Sequence, residues 1–78
     1  MLKYFHRKSR ETNMDALVGK MGRVTETIDN SKSEGRIFVE GDNWKAETVN
    51  GEIVNVGDKV EVLRVNSTIL IVKPIKLT

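Results

Sequence analysis

The sequence predicts an all-β fold: a five-stranded closed barrel over residues 14–78, behind a flexible basic tail of residues 1–13. Three observations lead there. Apolar and polar residues alternate through most of the chain, the pattern of strands buried on one face. Turn pairs at Gly41-Asp42, Asn50-Gly51 and Gly57-Asp58 punctuate those runs too often for a long helix to develop. With 78 residues and no cysteine, the chain can build one small core, with no disulfide and no thiolate metal site.

Charge is unevenly placed. The formal net charge is +2. In residues 1–13, Lys3, Arg7, Lys8 and Arg10 against Glu11 amount to +3, which leaves the other 65 residues at −1. A globular nucleic-acid surface needs several cations on one folded face, so the basic character belongs to the tail. No run of about twenty apolar residues is present to form a membrane span, and no signal peptide is visible.

The tail sets these cations among the rings of Tyr4, Phe5 and His6. It reads either as a solvated terminus or as a juxtamembrane segment. In the second reading Leu2, Tyr4 and Phe5 end a membrane helix or sit at its interface, while the cations meet anionic headgroups on the cytosolic side.

The barrel elements follow in order. Asp15 to Val18 can make a helical turn, which Gly19 and Gly22 stop. Arg23 to Ile28 alternates as a half-buried strand, with Val24 and Ile28 on one face and Glu26 interrupting it. Asp29 to Gly35 is polar and turn-forming, a surface loop. The second strand points Ile37 and Val39 inward and Phe38 outward. A Gly41-Asp42 hairpin turn then leads to a third strand with Trp44, Ala46 and Thr48 inward, Trp44 serving as core anchor.

Between the turns at Asn50-Gly51 and Gly57-Asp58, Ile53, Val54 and Val56 are expected to pack across the connection. Lys59 to Asn66 forms the fourth strand, whose apolar residues change phase midway. Val60 and Val62 lie on one face and Leu63 and Val65 on the other, the mark of a bulge or of burial on both faces. After a tight connection at Asn66-Ser67-Thr68, Ile69 to Val72 forms a fifth strand, ended by Lys73-Pro74. A sheet this small cannot leave both edges bare and still hide an apolar face, so it closes; among five-stranded closed forms the OB-like barrel fits first.

No catalytic constellation appears. His6 is the sole histidine and sits among cations that disfavour a metal or a proton-accepting role. Ser9, Ser31, Ser33 and Ser67 lie in polar loops or the tail with no recognisable base. Asp29, Glu34, Glu40, Asp42 and Glu47 lack the regular spacing of a calcium loop. The expectation is therefore no enzyme, no metal, no cofactor and no small-molecule substrate. Val56-Gly57-Asp58-Lys59-Val60 is similar to a turn of biotinyl or lipoyl carriers, but Gly41 to Lys45 does not match the hairpin of their modified lysine.

What remains is surface. The outward row of Arg36, Phe38 and Lys45, with Ile69 and Ile71 if Leu70 and Val72 are the inward pair, is the candidate partner-binding surface, the alternative being that the N-terminal tail covers its apolar residues. OB-type barrels also bind single-stranded nucleic acid or oligosaccharide. Nucleic acid is disfavoured here because Trp44 has the wrong phase to join Phe38 in a stacking platform, and Glu40 and Glu47 repel phosphate.

Gly19 and Gly22 before the first strand, Gly35-Arg36-Ile37-Phe38-Val39, Glu40-Gly41, Trp44-Lys45-Ala46, Ile53 with Gly57, Val60-Glu61-Val62, Val65, and Leu70 with Val72 before Pro74 together resemble the C-terminal soluble domain of the NfeD family. The likeness covers residues 17–75. The resemblance implies an OB-fold barrel on the cytosolic face of a longer membrane protein, working beside stomatin-like or flotillin-like (SPFH-type) partners or by self-association in membrane-protein quality control. Longer relatives carry a ClpP-like serine protease domain; nothing in this chain corresponds to it, so no catalytic residue carries over.

Overall fold

The computed structural model describes residues 14–75. The basic tail with Lys3, Arg7, Lys8 and Arg10, and also His6 and Ser9, lies outside the described residues. Five strands, β1 (Met21–Asp29), β2 (Glu34–Val39), β3 (Asp42–Thr48), β4 (Lys59–Asn66) and β5 (Ile69–Pro74), close into a barrel in the order β1-β2-β3-β5-β4. Neighbours run antiparallel except β3 and β5, which pair in parallel at Ala46–Leu70, Glu47–Ile71 and Thr48–Val72. A short 3-10 helix at Met14–Leu17 precedes β1, and a second at Asn30–Lys32 joins β1 to β2.

Alternation builds the core. Val24 and Ile28 from β1, Ile37 and Val39 from β2, Ala46 from β3, Val60 and Val62 from β4, and Leu70 and Val72 from β5 are buried together with Leu17 and Val54. Full burial of each valine, leucine or isoleucine side chain stabilises by about 1.5 to 3 kcal/mol. Trp44 is half-buried and packs against this core from its rim; its indole Nε1 donates to the Val39 carbonyl at 3.4 Å, a long and weak bond.

Both irregularities in the sequence pattern are bulges. The β1–β2 register shifts on each side of Glu26, which leaves Glu26 exposed, its carboxylate accepting from the Gly35 amide at 3.1 Å. The β4–β5 register shifts between Val62 and Arg64, so β4 gains one residue and both Val62 and Val65 reach the core. An extra residue on one strand resets the two-residue alternation.

Three local expectations are corrected. The β2–β3 hairpin turns on Glu40-Gly41, both at positive φ (51° and 88°), while Asp42 already pairs with Val39. Of the three residues expected to pack across the β3–β4 connection, only Val54 is buried, bridging to Ile28; Ile53 and Val56 are exposed. The reason is that a single bridge fixes Val54 against β1 while Ile53, next to it, points the other way, and Val56 already lies in a turn closed by the Asp58 amide donating to the Asn55 carbonyl at 3.1 Å. The loop after β1 is also more than surface. Asn30 is half-buried, donating from Nδ2 to the Thr48 carbonyl at 2.9 Å and accepting the Thr48 amide on Oδ1 at 3.0 Å. An amide side chain thereby satisfies the end of β3 where no strand does.

Candidate interaction surface

Directly opposed residues on antiparallel strands share a face, and this rule assembles the outer surface of the barrel. Arg36 on β2 opposes Lys45 on β3, and Phe38, 47% exposed, opposes Asn43. Two like charges directly opposite are unfavourable, and each finds its own relief. Arg36 Nε lies 3.9 Å from Glu26 Oε1, and Lys45 Nζ donates to the Ser33 carbonyl. The Thr25 hydroxyl donates to Asn43 Oδ1 at 2.8 Å across the top of β2, with the Arg36 carbonyl 3.3 Å away.

Arg36, Phe38 and Lys45 thus stand together, and Ile69, half-buried, lies one residue before the Ala46–Leu70 pair on the neighbouring strand. Ile71 does not belong to this surface. It is buried at 5% exposure, in register between Glu47 on β3 and Arg64 on β4 and beside the extra residue of the β4 bulge. Those longer neighbours take the space that a solvent-facing isoleucine needs. Leu70 and Val72 do point inward as an alternating pair, but that alternation does not by itself expose the residue between them.

Barrel closure brings up a second group that strand alternation alone does not reveal. Arg23 on β1 opposes Phe38 on β2 and, on its other side, Lys59 on β4. Next along β1, Met21 is 65% exposed and opposes Glu61. Met21, Arg23, Phe38, Val39, Glu40 and Lys59 line a shallow open depression of about 420 Å³. Met21 also borders a second depression of about 410 Å³ with Glu61, Lys73 and Pro74. A sequence signal existed for Met21, an apolar residue beside Gly22 out of phase with Val24, but the meeting of Arg23 with Lys59 depends on pairing between distant strands.

Ser31 and Ser33 lie in the β1–β2 connection and Ser67 in the β4–β5 turn; Asp29 caps the 3-10 helix between β1 and β2 and Glu40 sits in the hairpin turn, whereas Glu34 lies in β2 and Asp42 and Glu47 in β3. Ser33 and Ser67 adopt positive φ (57° and 62°) in their turns. Ser31 donates its hydroxyl to Asp29 Oδ1 at 2.7 Å and its amide to the same oxygen at 3.0 Å. The Ser31 hydroxyl bond, more than any other influence, holds the Asp29 carboxyl below its usual range. Among the described residues no group of three or more His, Cys, Asp or Glu side chains comes together as a metal site, and no helix is long and apolar enough to cross a membrane.

Comparison with known proteins gives a consistent result. The family model for the NfeD-like C-terminal, partner-binding domain matches residues 14–74. Among solved structures, the C-terminal domain of stomatin operon partner protein 1510-C from Pyrococcus horikoshii is similar at 33% identity and a TM-score of 0.71, over 85% of this chain and 98% of that one. The soluble domain of a membrane protein implicated in regulation of membrane protease activity, from Corynebacterium glutamicum, is similar at 28% identity and a TM-score of 0.67, over 73% of this chain and 89% of the other. No curated protein matches the chain significantly. A closed five-stranded barrel, a family match across nearly every described residue and a solved relative at 33% identity agree: the chain belongs to the NfeD-like C-terminal, partner-binding domain family.

Proposed function

We propose that this domain is a non-catalytic docking module of an NfeD-like membrane protein. It sits at the cytosolic face of the membrane and binds a stomatin-type or flotillin-type partner, or a second copy of itself, in membrane-protein quality control. The observation that carries this reading is the family match over residues 14–74, whose description is a partner-binding domain, together with the likeness to a domain encoded by a stomatin operon. Residues 1–13 then form a basic juxtamembrane linker in which Lys3, Arg7, Lys8 and Arg10 meet anionic lipid. Any proteolytic activity in a longer relative resides in a separate domain.

The exposed Phe38, with Arg36 on the same face, supports this reading because aromatic residues and arginine are enriched where proteins bind one another. The test is recovery of the full-length membrane protein with its stomatin-like neighbour, with and without residues 14–78. Recovery that depends on the barrel supports the proposal, and unchanged recovery without it removes the partner-docking role. Titration with single-stranded RNA and DNA at low salt addresses the competing OB-type activity. Amide shifts centred on Phe38 and Lys45 favour nucleic acid, whereas salt-sensitive shifts confined to residues 1–13 are tail electrostatics.

A further inference from the structure

We infer that the depression between Met21 and Phe38 is the site that engages the partner, and that its occupant is a protein segment combining acidic and apolar side chains. This deepens the partner-binding reading and rests on it. The apolar half of the argument is exposure: Met21 and Phe38 are 65% and 47% exposed, and both line one depression. Neither is needed by the core, whose inward positions on β1 and β2 are filled by Val24, Ile28, Ile37 and Val39.

The charged half is complementarity. Arg23 and Lys59 sit side by side across the β1–β4 pairing, with Phe38 on the other flank of Arg23. Among the described residues neither cation forms an ion pair. The carboxylates at the margins are already matched, Glu40 by Lys20 at 3.4 Å and Glu61 by Lys73 at 3.7 Å. The patch is therefore left with two uncompensated positive charges on a folded part whose overall balance is negative.

Two adjacent cations with a ring beside them match a pair of carboxylates next to an apolar side chain on a short segment. They do not match a long polyanion, which needs a continuous basic track and several stacking rings and would meet Glu40 in the lining. Apolar contact with Met21 and Phe38 supplies affinity, and the cations fix orientation and select the partner.

The test uses the isotope-labelled 78-residue chain. It is titrated with a short peptide of alternating leucine and glutamate, and with a leucine–lysine peptide of the same length. The acidic peptide is expected to shift the amides of Met21, Arg23, Phe38 and Lys59, and the basic one to leave them in place. Reversal of both cations, Arg23→Glu with Lys59→Glu, is expected to weaken binding at least roughly tenfold, and the Gln pair to weaken it less. Both side chains are exposed, so retained spectral dispersion checks that the variants stay folded.

Several results overturn the inference: no shift with the acidic peptide, equal shifts with both peptides, shifts centred on Arg36, Lys45 and Ile69 instead, or stronger engagement of the same amides by phosphatidylserine vesicles or a single-stranded oligonucleotide. Partner recovery separates this inference from the reading beneath it. Recovery lost on deleting the barrel but kept by the charge-reversed pair removes the groove and spares the partner. Recovery unchanged by deletion, while the peptide still finds the groove, removes the stomatin-type partner and spares the groove.

Discussion

Gly35 is the most tightly enclosed glycine of the barrel. Its φ is +145°, and a Cβ there would stand 2.8 Å from the Ala46 carbonyl oxygen and 2.9 Å from Ile28 Cα. Both obstacles are backbone and cannot rotate away. Gly35→Ala is expected to destabilise by about 2 to 4 kcal/mol in urea unfolding; a loss below about 1 kcal/mol would mean that the strands separate there at little cost. Trp44 behaves differently. Because it packs on the rim of the core and is only half-buried, Trp44→Ala is expected to cost about 2 to 3 kcal/mol, under the roughly 3 to 5 typical of an enclosed aromatic. Its emission should be partly quenched by iodide, and full protection would contradict this placement. Asp29 sets a pH dependence. Its folded carboxyl titrates below the unfolded one, chiefly through the Ser31 hydroxyl, so its contribution is complete above about pH 4 and fades as the pH falls through the folded value. Thermal melts of Asp29→Asn should therefore lose part of the acid-limb decline seen in the parent chain, and superimposable acid limbs would show that the turn is not linked to stability.

At the scale of elements, the β2–β3 hairpin contains a correctable flaw. A two-residue turn with both central residues at positive φ favours Asn-Gly, and here Glu40 occupies the first position at φ 51°. A non-glycine residue in that conformation costs roughly 1 to 2 kcal/mol. The Lys20–Glu40 pair that Glu40 provides is exposed and worth about 0 to 1 kcal/mol. Glu40→Asn is thus expected to raise stability by roughly 0.5 to 1 kcal/mol in chemical denaturation, and a decrease would mean that the ion pair outweighs the turn. Much at this scale was legible in the sequence. The bounds of β4 coincide with Lys59 to Asn66, and its midway change of phase is the bulge between Val62 and Arg64. The hairpin turn was one residue off for a definite reason. Turns centred on Glu40-Gly41 or on Gly41-Asp42 give registers two residues apart, and both keep Ile37, Val39, Trp44 and Ala46 on one face. What separates them is the close fit of Gly35 against Ala46 and Ile28, a contact among three strands that no hairpin pattern contains.

At the scale of the whole molecule, closure governs behaviour. The barrel is completed by short seams, β1 with β4 at Met21–Glu61, Gly22–Val60 and Arg23–Lys59, and β3 with β5 at Ala46–Leu70 to Thr48–Val72. Opening either seam uncovers the common core, so no strand pair retains a buried face alone. Unfolding is expected as one transition, with far-UV circular dichroism and Trp44 fluorescence superimposing; separated midpoints would show a hairpin that survives on its own. The sequence by itself determined the strand content, the inward residues and the resemblance to a partner-binding family, because alternation, turn residues and motif glycines are local properties of the chain. The tertiary structure decided which outward residues share a surface. Ile71 left the candidate surface because its neighbours on β3 and β4 close around it, and Met21, Arg23 and Lys59 joined Phe38 because barrel closure sets distant strands side by side. Alternation fixes whether a side chain faces in or out, but its lateral neighbours come from register between strands far apart in the chain, and register is set by packing the whole core at once.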